Sequence, residues 1–398
     1  MEGFRKAMKI TSVDDIHADA GWRTLSFLKI TTDSGLVGWS EFGEGRSSPG
    51  LTGVIRKISS QLIGQDPREV GKINARLYAN TRTTTGGMIS QANAAIENAC
   101  LDIKAKALGV PVFELFGGAV RNRLPAYWSH CGTLRVRHPD LFGAAPLRTL
   151  EDITALGQEV KQRGFPALKT NILTFADGVA SNYQGGFGMS EGHPEINLDD
   201  RMLDQIVALM AAFEKGTGPD VKLAIDLNCN FKPEGTRQIA KALEPFRLLW
   251  LEFDLHDPKS LASIRQSTTT RIGSLETIYG RRNLKPYLDE TAVDVVIIDP
   301  QWNGMIESTR MAALADTYEV NVAVHNYHGH LSTLIGAQFA AVIPNFRIAE
   351  VVVDEAPWVA DFFTHPLDFS KGEIIVPSRP GWGTDINEEA VRARAAKR

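Results

Sequence analysis

Cysteine is scarce in this chain. Its 398 residues include three, Cys100, Cys131 and Cys229. The number is odd and no C-x-x-C spacing occurs, so neither a disulfide framework nor a zinc cluster is supported. A reduced, cytoplasmic setting is the expectation. Long apolar runs are missing as well. No stretch reaches the length needed to cross a bilayer, and the opening MEGFRKAMKI lacks the apolar core of a secretory signal. Charge of one sign is not concentrated anywhere. There are 47 acidic and 43 basic residues, giving a net charge of −4. No basic stripe or charged tail argues for nucleic acid or a membrane surface. What is present, 43 % apolar and 23 % charged residues, is ordinary for a globular chain. The length suits one large domain with a smaller one.

The first part reads as α+β. Residues 8–17 look like a strand. Leu25–Thr31 and Leu36–Glu41 flank Thr32-Asp33-Ser34-Gly35, a hairpin signal. A helix is expected over Ile89–Leu108, with Gly109 and Pro111 ending it in the usual order.

From about Leu124 the pattern becomes an alternation. Eight strand candidates follow: Leu124–Ser129, Ala167–Ile172, Lys222–Leu227, Leu248–Phe253, Thr270–Leu275, Val293–Ile298, Val320–Val324 and Arg347–Val353. Between most of them lie amphipathic stretches such as Leu203–Phe213, Thr236–Leu243, Leu261–Ser267 and Ser308–Tyr318. Short β-branched runs with intervening helices predict an α/β fold, a closed (β/α)8-type barrel carrying an N-terminal α+β domain. A doubly wound open sheet is the competitor. It leaves unexplained the polar groups at the C-terminal ends of so many successive strands. The expected divisions are 1–123 for the α+β domain, 124–368 for the barrel, and 369–398 for a segment returning to the first domain. Thr174–Leu198 breaks the period. It is Gly-rich and polar, and reads either as a lid over the barrel mouth or as a surface excursion.

The strand ends carry the chemistry. Asp226 in AIDLN, Glu252 in LWLEFD and Glu276 in RIGSLET recur at nearly equal steps. A single strand-end acid is usually a helix cap or a salt bridge. Three on consecutive strands suit a hard divalent cation, with Mg2+ as the expected ion because it takes oxygen ligands and keeps positions open for substrate. The series continues with Asp299 in VVIIDPQW and His325 in NVAVHNYH. A carboxylate bonded to one ring nitrogen fixes the tautomer and raises the basicity of the other, as removal of a weakly acidic C–H proton requires. Lys169 and Asn171, in ALKTNI, alternate on one strand and so share a face. Lys169 is a candidate for holding a substrate carboxylate or damping nearby charge; a Schiff base is the alternative. Asn228 offers an amide to a substrate oxygen, and Glu350 ends the eighth strand as a hydrogen-bonding group or a structural ion pair.

In order, Lys-x-Asn, Asp-x-Asn, Glu, Glu, Asp, His and Glu resemble the strand ends of the enolase superfamily, in its mandelate racemase-like subgroup. TGGMISQANAAIENACLDIKAKALGVPVFELFGG is similar to that family's last capping-domain helix, and IIVPSRPGWG to its return segment. The resemblance covers nearly the whole chain. It implies a capping domain that closes over the barrel and selects the substrate. It further implies Mg2+ on Asp226, Glu252 and Glu276, binding a small-molecule carboxylate whose α-proton is removed. A homo-oligomer is also expected.

One departure matters. Many relatives carry Lys-x-Lys or Lys-x-Arg on the second barrel strand, where the second residue is a base. Here Asn171 stands there. One base remains, which favours dehydration of an acid sugar, as in the galactonate-type dehydratases that the subgroup contains. Those relatives often place a His two residues after the first metal ligand, where this chain has Asn228. Tyr183, His193 and His328 are the other candidate acids. Racemisation or epimerisation with a loop base is the first rival, and a non-catalytic sugar-acid binder the second. Trp22, Arg23, Arg46 and Arg82 are candidates for the distal end of the substrate.

Overall fold

The computed structural model describes residues 7–45, 47–176, 178–185 and 197–396. The N-terminal layer is an antiparallel meander of β1 (Ile10–Asp19), β2 (Thr24–Thr32) and β3 (Val37–Phe42). Thr31 pairs with Val37 across the expected hairpin, whose Gly35 takes a φ of 81°. Helices α1 (Leu51–Ser59), α2 (Val70–Thr81) and α3 (Gly87–Leu108) follow. α3 buries a face of small residues, Ala92, Ala95 and Ala99 among them. The approach to β3 is close: a Cβ at Gly38 would lie 2.2 Å from the Ala99 carbonyl oxygen. Gly109, at a φ of 71°, ends α3 in the left-handed conformation.

The barrel strands and helices then alternate. They are β4 (Arg123–Ser129), α4 (Thr133–Arg137), α5 (Leu150–Gln162) and β5 (Ala167–Asn171). A small hairpin of β6 (Leu173–Ala176) and β7 (Val179–Asn182) opens the long segment. Then come α6 (Asp200–Thr217), β8 (Lys222–Asp226), α7 (Pro233–Ala242), β9 (Trp250–Glu252), α8 (Pro258–Gln266), β10 (Ile272–Ser274) and α9 (Gly280–Asp289). The last turns are β11 (Val295–Ile298), α10 (Pro300–Asn303), α11 (Met305–Thr317), β12 (Asn321–Val324), α12 (His330–Val342) and β13 (Phe346–Val352). All eight barrel pairings are parallel, and β13 pairs back with β4, Ala349 opposite Ala126, which closes the barrel.

Side chains fill the barrel interior. Tyr127, Ala167, Ala224, Trp250, Val295, Ile297, Ala323 and Ile348 form their own cluster. Tyr127 and Trp250 meet edge to face at 5.5 Å. The indole needs Gly273 opposite it, since a Cβ there would come within 2.6 Å of the ring. β9 and β10 are three residues each, shorter than their apolar runs suggest. Leu275 takes a φ of 88°, a conformation rare for a residue with a side chain, and ends β10 abruptly.

The chain then returns. β14 (Phe369–Ser370) pairs with β15 (Glu373–Ile375), and β15 runs antiparallel to the start of β4. α13 (Glu388–Ala393) follows. Buried Asp102 on α3 ties three parts together, accepting from Trp39 N at 2.9 Å, Trp382 N at 3.0 Å and Lys106 Nζ at 2.7 Å. Residues 394–396 lie along β1, with Asp19 N donating to Arg394 O at 2.7 Å and Ala396 N to His17 O at 3.1 Å.

Candidate active site

The site is built where the barrel strands end. Register sets Asn171 beside Asp226 and Asp226 beside Glu252. Asp226 is held by Asn228, whose backbone N lies 2.6 Å from Oδ1 and whose Nδ2 lies 2.8 Å from Oδ2. Asn171 Nδ2 reaches Oδ2 at 3.3 Å and Asn228 Oδ1 at 3.4 Å. Glu252 accepts from Trp250 Nε1 at 2.7 Å and from Lys169 Nζ at 2.8 Å. Lys169 also pairs with Glu350 at 3.1 Å. Glu350 in turn accepts from Ser129 Oγ and from Asn326 N, the latter at 2.9 Å.

Glu276 follows the strained Leu275. Asp254 supports that turn, its Oδ1 taking Leu275 N at 2.8 Å and its Oδ2 taking Thr277 N at 3.2 Å. Glu276 Oε2 thereby lies 3.3 Å from His325 Nε2. His325 Nδ1 is 2.7 Å from Asp299 Oδ2. Asp299 Oδ1 caps α10, accepting from Gln301 N at 2.6 Å and Trp302 N at 3.2 Å. The Trp302 ring packs on His325 at 4.9 Å.

Charge crowding shapes the protonation states. Burial, then the Glu252 carboxylate, pushes Asp226 up to about 7. Burial also raises Glu276, against the opposing pull of His325. Burial disfavours a charged Lys169, but Glu252 and Glu350 outweigh it and hold the ammonium well above its ordinary value. Glu350 resists burial through Lys169 and is held at about 2. His325 is likewise desolvated, yet Glu276 and Asp299 hold it up at about 10. Burial brings His328 down to about 4, and its Nε2, 3.8 Å from Asp299 Oδ2, makes no hydrogen bond.

The sequence-derived residues Lys169, Asn171, Asp226, Asn228, Glu252, Glu276, Asp299, His325, His328 and Glu350 therefore stand at one end of the barrel. Among the described residues, no group of three or more His, Cys, Asp and Glu side chains is arranged to hold a metal ion. Glu252 turns onto Lys169 and Trp250, and Glu276 onto His325. Trp22 sits on the β1–β2 turn, 5.6 Å from the Tyr327 ring. Arg23 donates to Tyr327 O at 2.9 Å and pairs with Glu355. Tyr183 stacks on Phe231 at 6.0 Å, and Arg82 is exposed at the end of α2. Arg46 and His193 lie outside the described residues.

Residues 152–390 match the family described as Enolase C-terminal domain-like, and residues 16–117 match the Mandelate racemase / muconate lactonizing enzyme, N-terminal domain. The chain is a member of this enzyme family. D-xylonate dehydratase of Haloferax volcanii is 27% identical over 398 residues, covering 98% of this chain and 90% of that protein. D-galactonate dehydratase of Pectobacterium atrosepticum is 28% identical over 400 residues, covering 98% and 94%. A solved structure from Burkholderia xenovorans strain LB400, provisionally named an L-alanine-DL-glutamate epimerase, is 46% identical with a TM-score of 0.95, covering 98% of both chains. The same protein bound to magnesium and fumarate gives a TM-score of 0.96, covering 98% of this chain and 97% of that one.

The mandelate racemase-like frame also exposes residues that sequence reasoning missed. His130 follows β4, its Nδ1 2.6 Å from Ser129 Oγ and its ring 5.1 Å from Tyr327. Burial lowers it to about 3. Its signal was its place, one residue beyond a strand end. Trp302 and Glu41 gave no local signal.

Proposed function

We propose that this enzyme removes water from an acid sugar, an aldonate or aldarate, to give a 2-keto-3-deoxy acid. The observation that carries the reading is the contrast across the mouth. His325 has Asp299 at 2.7 Å on one side. On the other, Asn171 offers an amide, which takes no proton, and Lys169 is locked between two carboxylates. Once Glu276 no longer pairs with Nε2 and the ring is neutral there, His325 Nε2 takes the α-proton while Asp299 keeps Nδ1 protonated and the ring in place. The electron pair from the α C–H bond forms the double bond to the β-carbon. The β C–O bond breaks, the imidazolium returns its proton to the departing hydroxyl on the same face, and water leaves. The resulting enol tautomerises to the keto acid. Lys169 holds charge at the carboxylate end.

Asp226, Glu252 and Glu276 fit Mg2+ by donor chemistry, being hard oxygen ligands crowded enough that Asp226 is pushed up to about 7. Bound there, Mg2+ would withdraw charge from the substrate carboxylate and make the α-proton more acidic.

The test is a library of mono- and diacid sugars incubated with Mg2+ in D2O. Keto acid from the wild type, and none from His325→Asn, is the expected result. A second reading, epimerisation, is favoured by the provisional name of the 46% identical Burkholderia protein. Deuterium wash-in with inversion at the α-carbon and no keto acid would select it. Tight binding of a sugar acid with no α-proton exchange would instead select a non-catalytic binder.

A further inference from the structure

Both members of the Asp299–His325 pair sit one residue beyond a barrel strand, so the strands fix where each begins and leave its onward course open. That course is fixed from the other domain. Asn98, fully buried on α3, donates from Nδ2 to Pro300 O at 3.0 Å, on the residue after Asp299. Its Oδ1 accepts from Met305 N at 3.2 Å. Beside it, Glu97 Oε1 accepts from Ile306 N at 2.8 Å. The turn carrying Asp299 and Trp302 is thus gripped at both ends by adjacent residues of one capping-domain helix.

The His325 segment is treated alike. Its start is bonded to the barrel, His325 N to Ile298 O at 3.0 Å and Asn326 N to Glu350 at 2.9 Å. Its far end meets Glu41 of β3, a buried carboxylate that accepts from Gly329 N and, at 3.0 Å, from Ser332 N. Those are free N–H groups at the start of α12, where an anion is favoured. Asn98 and Glu41 touch neither His325 nor Asp299. They hold the backbone on either side of a hydrogen bond whose function tolerates about half an ångström of error.

We infer that Asn98 and Glu41 are positioning residues for the Asp299–His325 pair, so that the geometry of the base is set by the seating of the capping domain on the barrel. The inference rests on His325 being the base of the proposed reaction.

The test uses the full chain with 15N-labelled histidine. The ring nitrogen shifts of His325, assigned by their change in Asp299→Asn, report its tautomer and its bond to Asp299. In Asn98→Leu and Glu41→Ala they should move toward those of Asp299→Asn, with kcat down about 10–100-fold and KM little changed. Glu41→Gln, which keeps one accepting oxygen, should recover part of the loss. Asn98→Asp keeps the Met305 bond, loses the Pro300 donor and should fall between. If the alanine or leucine variants do not fold, these two conservative variants decide the matter. Arg121→Leu is the control for stability alone, since Arg121 binds Ala340 O and Ile343 O at the far end of α12. Unmoved His325 shifts with intact kcat would overturn the inference, as would equal shifts in Arg121→Leu. Failure of the dehydration reading looks different: no keto acid from the wild type, with the His325 shifts still dependent on Asn98 and Glu41.

Discussion

The two walls of the barrel mouth are made of similar residues and bonded in different ways. On the wall of β5, β8 and β9, every polar side chain is tied to another: Lys169 to Glu252 and Glu350, Asn171 to Asp226, Asn228 to Asp226. On the wall of β11 and β12, Asp299 holds one nitrogen of His325, and the other lies 3.3 Å from Glu276 Oε2. The first wall is a closed network of amides and ion pairs around Lys169. The second carries the imidazole that the proposed reaction uses. In the proposed reaction, that contrast confines proton transfer to one face and separates elimination from inversion.

The strongest way to break the contrast is to remove the exchanging side. His325→Asn should lower keto-acid formation by about 10²–10⁴-fold while leaving folding intact. A rate within a few-fold of wild type would show that the proton leaves elsewhere. Removing the fixed side should act on stability. Lys169→Met leaves Glu252 and Glu350 buried without their cation, at a cost of about 3–5 kcal/mol in urea unfolding. A loss well under 1 kcal/mol would mean that the network is not closed.

Acid should open the same network. Glu350 is held at about 2, below the ordinary carboxylate value, because Lys169 overcomes its burial. Its contribution is therefore fully present above about pH 4.5 and disappears as pH falls toward 2. At most it is worth roughly 3 kcal/mol. Melting temperature against pH, compared with Glu350→Gln, reads it directly: the variant's curve should be flatter over that window. The smallest expected effect sharpens the contrast. Asn171→Lys puts an amine on the non-exchanging wall, and a minor fraction of inverted, deuterated substrate should appear in D2O where wild type yields none.

Much of this was legible in the sequence because barrels repeat. Each β-branched run ends at a polar residue, so the eight strands and the residues at their ends could be found by counting. The boundaries of β9 and β10 could not. β10 is cut short by Leu275, whose left-handed backbone is stabilised by Asp254 rather than announced by a glycine. Glu41 was equally silent. It reads as the last polar residue of a hairpin strand, and its partners lie almost three hundred positions away. Asn98 shares that difficulty, gaining its significance from contacts between the capping layer and the barrel, while His130 and Trp302 gain theirs from ring contacts across the barrel mouth that no local period encodes.

The outer edge of β1 is covered at its end, residues 17–19, by residues 394–396. During synthesis that strand leaves the ribosome before the barrel does and waits for a partner translated nearly a whole barrel later. Until then the meander exposes an open edge, the kind of surface on which neighbouring nascent chains join. The polar residues along β1, Ser12, Asp14, Asp15 and His17 among them, guard that interval, and the closing segment acts as a seal applied after the barrel is complete.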